Sequence, residues 1–330
     1  MHRDPPLLSR VADAVHWMNR YVERAENVAR FVDVNLHLML DLPWAAAEPQ
    51  WGALIATSGD TELYQERYGR PNQADVLRFL TFDAKYPSSI LSCLRAAREN
   101  ARSVREIISS EMWEHLNKTY LTVKDAARDP DRVLAAPAEF YAQLKTDSHT
   151  YVGITYLTMT HNEAWHFGRM GRLLERADKT SRIVDVKCFL LMSSAIDQSL
   201  AIDEIQWGAL LKSASALEMY KKRFGRIRPE HVVDFLLLDP KFPRSVRYSV
   251  VKAERSLRAI TGAMSSAGGT DAEKRLASVR AELELADVGA ILKSGLHEHL
   301  DALQTKLNGV GNAMHDTFFS PPLRAAPALV

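Results

Sequence analysis

Residues Arg20-Tyr21-Val22-Glu23-Arg24-Ala25-Glu26-Asn27-Val28-Ala29-Arg30-Phe31-Val32-Asp33-Val34 recur in kind as Arg172-Leu173-Leu174-Glu175-Arg176-Ala177-Asp178-Lys179-Thr180-Ser181-Arg182-Ile183-Val184-Asp185-Val186. Two stretches this alike must fold alike. Around the first copy the apolar residues Val15, Met18, Val22, Ala25, Ala29, Val32, Leu36 and Met39 advance by alternating steps of three and four. That spacing predicts a helix burying one narrow seam. A second block also repeats. Gln50-Trp51-Gly52-Ala53-Leu54 is identical to Gln206-Trp207-Gly208-Ala209-Leu210. Tyr64, Arg67, Gly69, Arg70, Phe79, Asp83, Lys85, Pro87 and Ser89 are answered, at a constant offset of 156 residues, by Tyr220, Arg223, Gly225, Arg226, Phe235, Asp239, Lys241, Pro243 and Ser245. The Glu-Arg segments are offset by 152 residues, from Glu23 to Glu175, so only the loop between the two blocks changes length. The expectation is an internally duplicated helical bundle with pseudo-twofold symmetry. Its parts are an N-terminal arm over 1–8, a first half with a connecting helix over 9–160, a second half over 161–319, and a loose proline-containing tail over 320–330.

The repeated helix carries charge beside its seam. At 100° per residue, Glu23, Glu26, Arg30 and Asp33 form a second stripe, and Glu175, Asp178, Arg182 and Asp185 occupy the same places in the second copy. Arg20 and Arg24 recur as Arg172 and Arg176. One reading is a solvated helix face, whose Glu26–Arg30 and Asp178–Arg182 pairs at i,i+4 each contribute only about 0.2–0.5 kcal/mol. The other is a shared polar centre, formed where two such helices pack about a pseudo-twofold axis. Guanidinium groups on adjacent turns suit bidentate capture of a carboxylate or phosphate. In a buried centre, Glu23 and Glu175 become candidate acid–base groups.

The rest of the chain reads as helices joined by short turns, without sustained two-residue alternation, so the fold class is all-α. Ser9 is expected to cap a helix to about Leu40, ended by Asp41, Pro43 and a loop through Pro49. A long helix is expected from Ile90 through Met112-Trp113 to about Asn117. Another, over about 138–160 and without an obvious twin, should connect the halves. Asn162 caps the second Glu-Arg helix, expected to reach about Ser194. Beyond Gly268-Gly269 the second half departs from the first. There a capping box from Thr270 to Glu273 opens a helix to about Asp287, and a last helix covers about 291–319.

The 42 basic and 41 acidic residues give a net charge of +1, so no global field draws the chain to nucleic acid or an anionic membrane. No stretch approaches the roughly 20 apolar residues needed to span a bilayer, which points to a cytoplasmic protein. Cys93 and Cys188 lie inside helical patterns as small core residues of a reducing compartment. Glu163 and His166 have the Glu-x-x-His spacing of ferritin-like di-iron sites, but that chemistry needs two such motifs, and the matching first-half positions are Val11 and Ala14. Glu111 with His115 is equally incomplete, so no metal and no cofactor is expected. There is no Gly-rich phosphate loop, no G-x-S-x-G elbow and no cysteine with a readable histidine partner. Trp51, Trp207, Phe79 and Phe235 are expected in the core.

Three separated motifs resemble the bacterial alpha-E family. They are Ser9-Arg10-Val11-Ala12 through Arg20-x-x-Glu23-Arg24-Ala25-Glu26-Asn27-x-Ala29-Arg30, Ile107-Ile108-Ser109-Ser110-Glu111-Met112-Trp113-Glu114, and Gly171-Arg172-x-Leu174-Glu175-Arg176-Ala177-Asp178-Lys179-Thr180-x-Arg182. The resemblance runs from Leu8 to about Phe319. It implies a partner, because family members are typically encoded beside, or fused to, a circularly permuted ATP-grasp protein, often with a transglutaminase-like peptidase nearby. The implied role is a non-nucleotide-binding component of an amide- or peptide-ligation system, binding the ligase or its amine or peptide substrate through the twin Glu-Arg centre. Two alternatives stand beside it: a catalyst using Glu23 or Glu175 as acid or base, and a purely structural helical scaffold.

Overall fold

The apolar seam is buried on helix α1 (Ser9–Asp41), where Val15, Met18, Val22, Ala25, Ala29 and Val32 are enclosed. The computed structural model describes residues 7–41, 44–193, 200–262 and 269–320, and among them are sixteen α-helices and no strand. The chain is all-α.

The seam of α1 packs along α9 (Glu163–Ser193), the helix that carries the second Glu-Arg copy. Helix α5 (Ile90–Ser103) lies on α1, and α13 (Val246–Thr261) lies on α9. Each pair is completed by two more helices. With α1 and α5 these are α6 (Ser110–Ala126) and α8 (Pro137–Thr158); with α9 and α13 they are α14 (Asp271–Leu285) and α16 (Leu296–Met314). Helix α8 is therefore more than a connector, because it covers α1 much as α16 covers α9. The sequences of α8 and α16 show no kinship, since covering a helix requires only an apolar stripe. One continuous apolar core runs through both groups, from Val11 to Phe319.

Shorter helices close the ends. They are α2 (Trp44–Ser58), α3 (Thr61–Tyr68), α4 (Gln73–Phe82), α7 (Pro130–Ala135), α10 (Leu200–Ser213), α11 (Leu217–Phe224), α12 (Pro229–Leu237) and α15 (Val288–Ser294). Helices α3, α4 and α5 start at Thr61, Gln73 and Ile90, while α11, α12 and α13 start 156 residues later, at Leu217, Pro229 and Val246. The repeated Asp-x-Lys-aromatic-Pro segments account for the last of these starts. Asp83 Oδ1 accepts the Lys85 N–H at 2.8 Å, and Asp239 Oδ1 accepts that of Lys241 at 2.7 Å, each closing a tight turn. Ser89 and Ser245 then cap α5 and α13 through the N–H groups of Ser92 and Tyr248. The aromatic members stack in the core, Phe79 on Tyr86 and Phe235 on Phe242. Trp51 and Trp207 are buried as expected.

Several boundaries differ from the sequence reading. The expected single helix over about 90–117 is two, α5 and α6, because Ser109 caps a new start by accepting from Met112 N. The apolar register of Val104 and Ile108 continues across the break, and both remain buried in the core. The last expected helix is also divided, at Gly295, whose φ of 113° is open to glycine but strained for other residues. Helix α2 starts at Trp44, inside the expected loop. Leu8 rather than Ser9 supplies the first carbonyl to α1, accepting from Val11 N and Ala12 N. Residues 1–6 of the arm, 321–330 of the tail, Pro43, Gly268 and the Cys188 side chain lie outside what is described.

Candidate functional site at the crossing of the two Glu-Arg helices

Two glycines let α9 meet α1 closely. A Cβ on Gly171 would stand 2.4 Å from the His16 carbonyl oxygen, and one on Gly168 would stand 2.5 Å from Asn19 Nδ2. Both distances are below any normal contact; at Gly171 the obstacle is backbone, which cannot turn aside, and at Gly168 it is the end of the Asn19 side chain. One turn further along, this closeness brings the charged stripes together.

There the two copies exchange partners. Arg24 grips Glu175 side-on, Nε to Oε1 at 2.6 Å and Nη2 to Oε2 at 3.0 Å. Arg176 grips Glu23 with the same atoms, at 2.7 and 2.8 Å. Such paired contacts are the strongest hydrogen bonds that guanidinium and carboxylate make. Arg20 adds a third contact to Glu175, Nε to Oε2 at 3.0 Å. Glu175 is 0% and Glu23 2% exposed, so this is a buried centre and not a solvated face. The carboxylate that Arg20 and Arg24 hold is the chain's own Glu175.

Glu23 finds its second cation elsewhere. Arg244, in the turn before α13, lies 3.8 Å from Glu23 and donates to Glu26 Oε1 at 2.8 Å. Sequence reasoning missed Arg244. It was detectable as the one position of the repeated turn where a charge replaces a neutral residue, Ser88 in the first copy. Arg30 also donates to Glu26 Oε1, from Nε at 2.8 Å. Asp33 binds Lys145 of α8 at 2.5 Å, and Asp185 binds His297 of α16 at 2.7 Å, so each outer acid is held by the covering helix of its own group. Asp178 pairs with Arg182 at 3.0 Å, and both are half-buried.

Arg172 answers Arg20 in sequence, but its place at Glu23 is taken by Arg244. Its Nε is buried with no hydrogen-bond partner, and among the described residues it makes no ion pair. Burial, with Arg176 close by, pushes this guanidinium down to about 10.

The carboxylates are held ionised. Burial alone would raise Glu175, but Arg24 and Arg20 outweigh it and keep it far below the usual range. Burial is likewise overcome by Arg176 and Arg244 at Glu23, which also titrates below the ordinary value. At Glu26, Arg244 and Arg30 overcome burial and bring the carboxyl down to about 2. An acid–base catalyst works best with a pKa near the operating pH, and none of these three offers that. His16, at the glycine crossing, is pushed down to about 3 by burial and by Arg20, and so is neutral.

Of the Glu-x-x-His residues, Glu163 is engaged elsewhere and the buried Nδ1 of His166 has no hydrogen-bond partner. Glu163 Oε2 accepts the Leu7 N–H at 3.1 Å, and His166 packs edge-on against Trp165. His115 Nε2 contacts the Asp147 carbonyl oxygen at 2.7 Å. Among the described residues, no group of three or more His, Cys, Asp or Glu is placed to hold a metal ion.

Comparison with known proteins agrees with the geometry. The model of the Alpha-E family, described as "a predicted alpha-helical domain with a conserved ER motif", matches residues 7–319. The chain is 25% identical to the uncharacterized protein Mb2597 of Mycobacterium bovis and to the uncharacterized protein Rv2567 of Mycobacterium tuberculosis. Each alignment covers 95% of this chain but 37% of the relative, so the chain spans little more than a third of the length of these relatives. No solved structure matches. The family match covers almost the whole chain, and the chain belongs to the Alpha-E family.

Proposed function

We propose, taking membership of the Alpha-E family as the premise, that this chain is a non-nucleotide-binding component of an ATP-grasp amide- or peptide-ligation system. It binds the ligase, or the ligase's amine or peptide substrate, at the twin Glu-Arg centre. The observation that carries the reading is the reciprocal grip of Arg24 on Glu175 and Arg176 on Glu23. These contacts fix α1 on α9 and keep both glutamates charged. The result is a rigid, arginine-rich centre with no carboxylic acid ready to trade protons near neutrality. The acid–base alternative for Glu23 and Glu175 is correspondingly weaker, and because the arginines are taken by the chain's own carboxylates, the centre would serve a partner by holding α1 and α9 in fixed register.

Two further points support the reading. The resemblance implies a circularly permuted ATP-grasp protein encoded beside, or fused to, this chain, which would supply the nucleotide chemistry. The unmatched remainder of the Mycobacterium relatives leaves ample room for a fused partner. A transglutaminase-like peptidase is a proposed second partner, and the cytoplasm is the proposed compartment. No helix among the described residues is long and apolar enough to cross a membrane. We further propose that the residues 9–160 and 161–319 arose as duplicated halves. Reconstitution tests the reading: purified ATP-grasp ligase is assayed for amide formation with and without this chain. The expected result is a bound complex and turnover only when both are present. Full ligase activity without the chain, together with no binding, would overturn the reading.

A further inference from the structure

In a chain whose charges nearly balance, one face gathers cations without acids. Arg169 of α9 lies beside Lys252, Arg255 and Ser256 of α13, and Arg172, three residues further along α9, lies beside Arg169. Arg169 Nη1 donates to Ser256 Oγ at 3.2 Å, and its guanidinium lies 5.2 Å from the Trp165 ring centre. Lys252 Nζ stands 5.2 Å from the ring centre of Tyr248. Arg169 is within electrostatic reach of Arg172, Arg255 and Lys252. Among the described residues none of these four cations has an ion-pair partner. Glu23, the acid near Arg172, is already held by Arg176.

Three of the four are half-buried, Arg169, Arg172 and Lys252. Withdrawing a cation from water without a counter-charge is costly. Burial, followed by like charges nearby, lowers Arg169 and Lys252 from their ordinary values. Two buried polar atoms also lack partners, Arg172 Nε and the Oη of Tyr151, which lies within reach of Arg172. The repeat supplies an internal control. At the same offsets the first half has Trp17, Arg20, Ala96 and Glu99, with Arg20 bound to Glu175 and Glu99 paired with Arg98 and Arg102. The cationic face is thus confined to the second half.

We propose that Arg169, Arg172, Lys252 and Arg255, with Ser256, form a binding site for a phosphoryl group. A phosphate dianion gathers its charge and several acceptor oxygens on one centre, where forked guanidinium donors converge, whereas a dicarboxylate of equal charge spreads them over two. The site shares Arg172 with the Glu-Arg centre, but it stands on the charge distribution and on the packing of α9 against α13, and its test does not involve the ligase reaction.

Titration calorimetry of the full chain at constant ionic strength tests it, with inorganic phosphate, pyrophosphate and succinate as probes. The expected result is saturable one-to-one binding of phosphate or pyrophosphate, at least tenfold tighter than succinate. The double variant Lys252→Ala/Arg255→Glu, which installs the first-half residues on the accessible side, should bind at least tenfold more weakly while melting at the wild-type temperature. Arg172→Met should also lose binding, and Arg275→Gln, in the remote Asp271 pair, should retain it. No saturable phosphate binding, equal binding by the double variant, or a preference for succinate would overturn the site.

Discussion

Replacing Glu175 by Gln removes one charge and almost no volume, so it probes the buried centre with little disturbance of packing. In the wild type this carboxylate is fully enclosed and takes both Arg24 and Arg20, whose side chains are each 17% exposed. The amide retains an acceptor but leaves two largely buried guanidinium groups without their counter-ion. Breaking a buried pair from one side costs about 3–5 kcal/mol, and the remaining amide oxygen places the expected loss near the lower end, at about 3 kcal/mol. Urea unfolding followed by tryptophan fluorescence reads this as a lower midpoint at pH 7. Acid adds a signed test. The folded carboxyl titrates below its ordinary value, so its stabilisation is complete above the unfolded pKa of about 4.3 and is lost as pH falls toward the folded value. The difference between wild type and Glu175→Gln should therefore be constant from about pH 8 to 5 and shrink below about pH 4. A loss under about 1 kcal/mol, as for exposed pairs, or a difference that acid leaves unchanged, would refute the reasoning.

Other outcomes follow from the same geometry. Gly171→Ala must push the added Cβ against the His16 carbonyl, and overpacking of this kind costs about 1–3 kcal/mol; a thermal melt equal to wild type would show that the helices part freely. Arg244→Ser, which copies Ser88, strips Glu26 of one of its two arginines and should destabilise the chain, as read by the urea midpoint, more than Arg275→Ala at an exposed pair. His297 is raised by its hydrogen bond and charge contact with Asp185, so its NMR titration should lie above 6.5 and fall in Asp185→Asn. The contact is favoured below that titration and fades as pH rises through it.

Much of the fold was legible because its signals are local. The seam from Val15 to Val32 marks α1, and the turn chemistry of Asp83 and Asp239 with the caps Ser89 and Ser245 marks the starts of α5 and α13. The break after Ser103 was not legible, because Val104 and Ile108 stay in helical register and reach the core without a helix between α5 and α6. Nor was the correspondence of α8 with α16, since packing constrains an apolar stripe and not residue identity. At the centre, the pattern showed that Arg20 and Arg24 suit a carboxylate. It did not show that Glu175 supplies it, because that depends on the approach that Gly168 and Gly171 permit. Arg244 comes from a separate loop, and its place beside Glu23, with Arg172 left without an ion pair among the described residues, is encoded by no helical period.

The account rests on the claim that the Glu-Arg motifs of the two copies are coupled to each other across the crossing of α1 and α9. A double-mutant cycle on Glu23→Gln and Arg176→Met measures that coupling directly. The account predicts that the double variant loses far less stability than the sum of the single losses, with a coupling of at least about 1.5 kcal/mol. Losses that add to within about 0.5 kcal/mol, as for independent sites, would contradict it.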